Sequence, residues 1–177
     1  RYDGDTKSWV RNRTDRNARY FLEKGYRYGF GANSDGHKGN PGTNGLTAVF
    51  APELTRDAVV AAIRQRHLYG TTNARIRLVM TVNDALMGSV IPRGDGAQLH
   101  LDIAGEAPLK AVDVLVNAGL YRRYLPAAAR FTADLTIAAD AVHNIYVRVI
   151  QMDDHMAWSS PVWLVDGRDR GAPTPPP

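Results

Sequence analysis

Beyond Asn73 the chain is written almost wholly in period two, and no other property limits its fold as strongly. Ile76, Leu78, Met80 and Val82 alternate with Arg75, Arg77 and Thr81, the pattern of a strand with one apolar and one polar face. Comparable patterning returns over 98–103, 112–117, 131–137, 144–149 and 158–165. Asn83-Asp84, Pro92 to Gly96, Glu106 to Pro108 and Asp153-Asp154 punctuate these runs as turns. Six or seven short strands at this spacing predict a small antiparallel β-sandwich.

The preceding residues read differently. Trp9, Val10, Ala18, Phe21 and Leu22 sit among charges and are followed by Gly25, which predicts an amphipathic helix over 8–24 with a left-handed stop. Residues 26–32 read as a short buried strand, 34–45 as a Gly/Asn/Pro-rich loop, and 46–51 as a second extended segment. Thr55 is positioned to cap a helix to about His67, with Asp57 in its first turn and Ala58, Val59, Ala62 and Ile63 as its packed side. The reading divides the chain at 72–75, into residues 1–73 and a β-sandwich over 74–167. Residues 168–177, ending in Pro175-Pro176-Pro177, read as a flexible proline-rich tail.

Composition bounds function from outside. The chain has no cysteine, which rules out disulfides, thiol catalysis and cysteine zinc sites. Net charge is +4, carried by scattered arginines rather than one basic, aromatic-laced element, so no nucleic-acid partner is expected. No apolar run approaches the ~20 residues that span a bilayer, so a soluble protein without a membrane partner is expected. Compartment stays open between cytoplasm and export. The start at Arg1, without an initiator methionine, suggests a processed or excised piece.

The chemistry-bearing stretch is Ser34-Asp35-Gly36-His37. Residues two apart on an extended backbone share a face, and Gly36 lets the chain turn so that both side chains reach one ion. Carboxylate oxygen with imidazole nitrogen suits zinc, manganese or iron better than calcium or magnesium. Taken alone, such a pair is more often ordinary turn chemistry.

The text around it is more specific. Tyr28-Gly-Phe-Gly-Ala-Asn-Ser-Asp-Gly-His37 is followed by Gly39-Asn-Pro-Gly42, Leu46-Thr-Ala-Val-Phe-Ala-Pro-Glu-Leu-Thr-Arg-Asp57, Ile63-Arg-Gln-Arg-His-Leu-Tyr-Gly-Thr-Thr72 and Ala157-Trp-Ser-Ser-Pro-Val-Trp163. Over roughly residues 8–165 this order of motifs resembles the polymerase-and-histidinol-phosphatase (PHP) metallohydrolases, in the branch that contains carbaryl hydrolase. The resemblance implies an α+β chain: closing helix and strand segments of a PHP-like metal-dependent barrel, then an antiparallel β-sandwich. It implies Asp35 and His37 as ligands of a divalent transition metal (zinc, manganese or iron) that acidifies a coordinated water, with Asp35 an alternative orienter or base for that water. Lys38 and Asn33 flank the ligands as candidate contacts for an anionic small-molecule substrate, although for Lys38 a solvated surface lysine is an equal reading. The implied reaction is hydrolysis of a phosphoester, ester or carbamate.

The His-x-His expected at the front of such an enzyme is missing from the sequence. The resemblance therefore implies the C-terminal portion of a larger hydrolase, partnered by its N-terminal remainder and not active alone. Homo-oligomerisation stays open. The rival expectation is a non-catalytic β-sandwich binding or assembly module.

Other residues carry less. The loop lacks a Gly-Lys-Ser/Thr ending and is no P-loop. Glu53 and Asp57 suit helix capping. His67 reads as a helix-end cation, His100 and Asp102 as surface neighbours, and Asp153-Asp154-His155 as hairpin chemistry. Ser159-Ser160 has neither a nucleophile elbow nor an assignable base, and Trp158 and Trp163 read as apolar anchors of the last strand. Tyr69, Thr71 and Thr72 read as structural.

Overall fold

The computed structural model describes residues 17–34, 36 and 42–167. Twelve strands and two short helices follow one another among these residues. The first helix, α1 (Ala18–Glu23), starts at Asn17, whose side chain accepts the Tyr20 N–H, and ends with the Gly25 N–H bonded to the Leu22 carbonyl. Residues 8–16 of the longer predicted helix lie outside the described residues. The second, α2 (Arg56–Arg64), has Thr55 as its N-cap, with Thr55 Oγ1 accepting the Ala58 N–H at 3.3 Å and donating to Glu53 at 3.2 Å. The helix-capping reading of this segment stands.

The strands are β1 (Leu46–Val49), β2 (Leu68–Thr71), β3 (Arg77–Val82), β4 (Ala85–Leu86), β5 (Val90–Pro92), β6 (Gly96–Ala104), β7 (Leu109–Val116), β8 (Gly119–Tyr124), β9 (Arg130–Ala138), β10 (Asn144–Gln151), β11 (Met156–Ser159) and β12 (Val162–Val165). One sheet runs β4-β3-β6-β9. The other, of eight strands, has β10 at its centre, with β7 and then β8 on one edge. On its other edge β10 pairs first with β12 and then with β11. From there the sheet continues through β11 to β2 and β1, and through β12 to β5. All pairs are antiparallel except β12–β5.

The two sheets face each other across one core. Leu78, Met80, Leu99, Leu101 and Ile103 from the four-stranded sheet meet Val112, Val114, Val147, Val149 and Leu164 from the other, all 2% exposed or less. Alternation is visible in β3 and β6, whose outer faces carry Arg77, His100 and Asp102. β7 and β10 are buried on both faces, because a second cluster of Leu115, Tyr146 and Trp163 is covered from outside by Leu22, Tyr28 and Phe30.

The expected α+β architecture with closing segments of a PHP-like barrel is overturned: the described chain is mainly antiparallel sheet. A barrel of strand–helix repeats needs parallel strands joined by packed crossover helices. Here β1 and β2 flank α2 yet pair antiparallel, Leu46 opposite Thr71 and Val49 opposite Leu68. The helix between them buries only Ala62, and Ile63 is 47% exposed. The eight-stranded sheet draws strands from both sides of position 73.

Two local expectations change as well. Residues 26–32 form no strand; they lie as an irregular strap over the outer cluster. The predicted strand over 158–165 is two strands, because Pro161 has no N–H and the chain changes partners there, β11 pairing with β2 and β12 with β5. No helix among the described residues is long and apolar enough to cross a membrane.

Candidate functional site

Asp35, His37 and Lys38 lie outside the described residues, so neither the convergence of the carboxylate and imidazole nor the substrate-contact role of Lys38 can be read from geometry. Around them the neck of the loop is well defined. Thr47, the second residue of β1, ties it: Thr47 Oγ1 accepts the Ala32 N–H at 3.0 Å and donates to the Ala32 carbonyl at 2.7 Å. A single hydroxyl thus satisfies both polar groups of one strap residue, as a neighbouring strand would.

On the other limb Asn44 Nδ2 donates to the Ser34 carbonyl at 3.3 Å. Gly45 passes so close to Asn33 that any Cβ there would overlap the Asn33 carbonyl oxygen; only glycine permits the two limbs to meet. Asn44 takes the left-handed conformation, φ 68°, which asparagine tolerates better than most residues. Gly36 N donates to Ser34 Oγ at 3.3 Å. Asn33, a candidate substrate contact, is exposed at this neck.

The neck rests on rigid structure. Phe30 N–H donates to Ser160 Oγ at 2.9 Å, and the same hydroxyl donates to the Leu68 carbonyl of β2 at 2.5 Å. The Phe30 ring meets Tyr146 of β10 edge to face, centroids 5.4 Å apart. Ser160 therefore fixes the strap as Ser159 fixes the sheet, where Ser159 Oγ accepts the Val147 N–H at 2.9 Å. Both serines are fully buried, which fits the absence of any nucleophile geometry.

The described histidines are dispersed. His100 Nδ1 lies 2.7 Å from Asp134 of the neighbouring β9, while Asp102 pairs with Arg77 at 2.7 Å, so the two residues serve different partners on the sheet surface. His155 Nδ1 lies 3.2 Å from Thr72 Oγ1, which accepts the Met156 N–H at 2.8 Å. Burial, then the Arg66 charge, holds His67 below the usual imidazole value, opposite to the helix-end cation expected of it, because the ring lies beyond α2 beside a guanidinium. Tyr69 is structural, its hydroxyl donating to the Ile76 carbonyl at 3.0 Å. Among the described residues no group of three or more His, Cys, Asp or Glu is placed to hold a metal.

With this geometry in hand, the comparisons with known proteins place the chain near sequences that carry no described activity. A family model described as a protein of unknown function (DUF3604) matches residues 24–98, under half of the chain but including the strap, the loop, β1, α2 and β2. An uncharacterized protein of Chlamydia pneumoniae is 32% identical over 139 residues, covering 68% of this chain and 22% of that relative. An uncharacterized protein of Chlamydia trachomatis is 30% identical over the same length and shares. The chain thus spans about a fifth of the length of these relatives. No solved structure matches the chain significantly.

Proposed function

We propose that this chain is a β-rich portion of a metal-dependent hydrolase, in which the loop tied at Ala32–Thr47 presents Asp35 and His37 to a divalent transition-metal ion. The observation that carries the reading is the neck: a loop whose sequence holds a carboxylate and an imidazole two residues apart is fastened by Thr47, Asn44 and the Gly45–Asn33 approach. Ligands borne by loops need such rigid anchoring if they are to hold one geometry.

The donor set, one carboxylate and one imidazole, fits zinc, manganese or iron. Two ligands are fewer than the three that catalytic zinc sites ordinarily take from protein, so the remaining ligands come from elsewhere in a longer protein. Bound there, the ion would supply Lewis-acid activation of water and of the scissile oxygen. Asp35 would orient that water or take its proton, Lys38 and Asn33 would contact an anionic substrate, and the strap would hold all four in register. A phosphoester, ester or carbamate is the substrate class this chemistry suits.

The test is metal analysis and hydrolysis by the longest natural gene product, against its Asp35→Ala, His37→Ala double variant. The double variant is expected to lose metal and activity while its circular dichroism is kept. Unchanged metal content and turnover would remove the proposal. A second reading, a non-catalytic β-sandwich binding or assembly module, is favoured by the way β1–β2 joins the eight-stranded sheet while the strap covers its outer cluster. It predicts a longer protein whose metal content is nil in both forms.

A further inference from the structure

Helix α2 is weakly anchored from within and apolar on its outer side. It has nine residues, and isolated helices shorter than about 12–15 residues are marginal in water, so its stability must come from packing. Yet the one side chain it fully buries is that of Ala62. Its larger apolar residues lie on the solvent side: Val60 is 37% and Ile63 47% exposed, and residues three apart are neighbours on one helix face. Leu54 precedes the Thr55 cap, the position from which an apolar side chain ordinarily folds back onto the fourth helical residue, here Val59. Leu54 is instead 98% exposed. Single apolar residues scattered over a surface need no explanation, but three gathered on and beside one short helix do.

Two occupants are open to such a face: a second copy of the chain, or polypeptide of the same longer protein. Charge and area choose between them. Arg56 and Arg64 stand at the two ends of the Val60–Ile63 stripe. A two-fold pairing of α2 with itself sets Arg56 against Arg64 if the helices run antiparallel, and each arginine against its own copy if they run parallel, which is repulsive either way. A nine-residue helix is also only ~14 Å long, far too small to supply the ~800 Å² per partner usual between separate molecules. Tethered polypeptide meets no such threshold, because linkage raises its effective concentration. The comparisons leave room for it: the chain spans about a fifth of the length of its relatives, and the family match over residues 24–98 runs through α2.

We propose that the Leu54, Val60 and Ile63 face of α2 docks polypeptide of the longer protein that lies outside these 177 residues, met there by an apolar surface with carboxylates facing Arg56 and Arg64. The inference rests on the reading of the chain as a portion of a longer protein. Because α2 joins β2 to β1, whose Thr47 ties the loop neck, docking there also sets how the loop faces the rest of that protein.

The experiment is amide exchange, read by mass spectrometry, on the 177-residue chain and on the longest natural gene product. In the chain alone the amides of residues 59–65 are expected to exchange at least about tenfold faster than those of 145–149 in β10, and in the longer product to slow by at least about tenfold while 145–149 keep their protection. The Val60→Ser, Ile63→Ser double variant removes the apolar stripe but keeps helix propensity, since serine ranks with valine and isoleucine there. It is expected to leave the Tm of the 177-residue chain unchanged and to abolish the slowing in the longer product. The slowing is expected to persist in the Asp35→Ala, His37→Ala variant, so that loss of docking and loss of metal are read apart. Equal exchange of α2 in both proteins, slowing that the serine variant keeps, slowing lost with Asp35 and His37, protection in the chain alone that rises with its concentration (a second copy), or a natural product no longer than this chain each overturns the proposal.

Discussion

At the scale of single residues, the strongest electrostatic commitment is at Asp113. This carboxylate is fully buried and held by two arginines: Arg123 contacts it through Nε at 2.6 Å and Nη2 at 2.9 Å, and Arg148 through Nη2 at 2.8 Å and Nε at 3.1 Å. Burial alone would raise its pKa, but the hydrogen bonds and charges of Arg123 and Arg148 outweigh burial and hold it below the usual carboxylate range. Such a group stabilises the fold above the unfolded aspartate value of about 3.9 and loses that contribution as pH falls through its lower folded value. Asp113→Asn is expected to cost about 2–4 kcal/mol near neutral pH, because two guanidiniums lose their counter-charge. In urea melts the gap between wild type and variant should narrow as pH drops below that range; a gap independent of pH would refute the account. Backbone strain gives a second residue-scale outcome. Gly88 has φ 92°, and a Cβ there would run into the Arg66 carbonyl. Gly88→Ala should therefore lower stability by at least about 1–3 kcal/mol, read as a fall in Tm.

The strap shows how one element can be held by side chains. Among the described residues its backbone pairs with no strand in a ladder, and Ser160 and Thr47 supply bonds of the kind a ladder would. Ser160→Ala is expected to cost about 1–3 kcal/mol, chiefly through the part-buried Phe30 N–H left without its partner, since the Leu68 carbonyl keeps the Ser160 N–H at 3.2 Å, and to speed amide exchange at Phe30 more than at Val147. Equal protection of Phe30 in both proteins would contradict this. Thr47→Val, nearly the same shape, should leave the sheets intact while weakening metal retention in the longest natural product if the loop holds the ion.

The same elements mark what could be read from sequence. β3, β6, β9 and β10 were legible because their residues alternate over six or more positions, and the α2 cap was legible in Thr55. The strap carries apolar residues at strand-like density, yet it lies across Gly70 of β2 and is held through side-chain hydroxyls rather than by a ladder, which sequence cannot display. β2, four residues all buried, is too short to show a period. For the candidate site, the Asp35-x-His37 spacing suggests chemistry by residue type alone. The outer cluster of Leu22, Tyr146 and Trp163 had no local signal, since its residues come together only when α1, β10 and β12 assemble.

Over the whole molecule, the textural break at residues 72–75 coincides with a passage between sheets: β2 belongs to the eight-stranded sheet and β3 opens the four-stranded one. By its patterning alone the alternating region reads as a unit that folds by itself, but the pairings argue otherwise. β2 pairs with β11 along Ala157–Ser159, and removing residues 1–73 would strip that pairing and bare Trp163 and Tyr146 beneath the strap. Leu68 and Tyr69 are each 7% exposed, and burying such a side chain is worth about 1.5–3 kcal/mol. With the strap aromatics and the lost ladder included, the deficit is comparable with the about 5–15 kcal/mol that a typical domain has in total. A chain of residues 74–167 is thus expected to show a broad, non-cooperative urea transition and to bind a hydrophobic dye, whereas residues 17–167 should unfold in one sharp step. If the shorter chain unfolded as cooperatively and at the same midpoint, β1, β2 and the strap would be additions to a complete sandwich, and a loop mounted on them would lose the rigid base that ligand geometry requires.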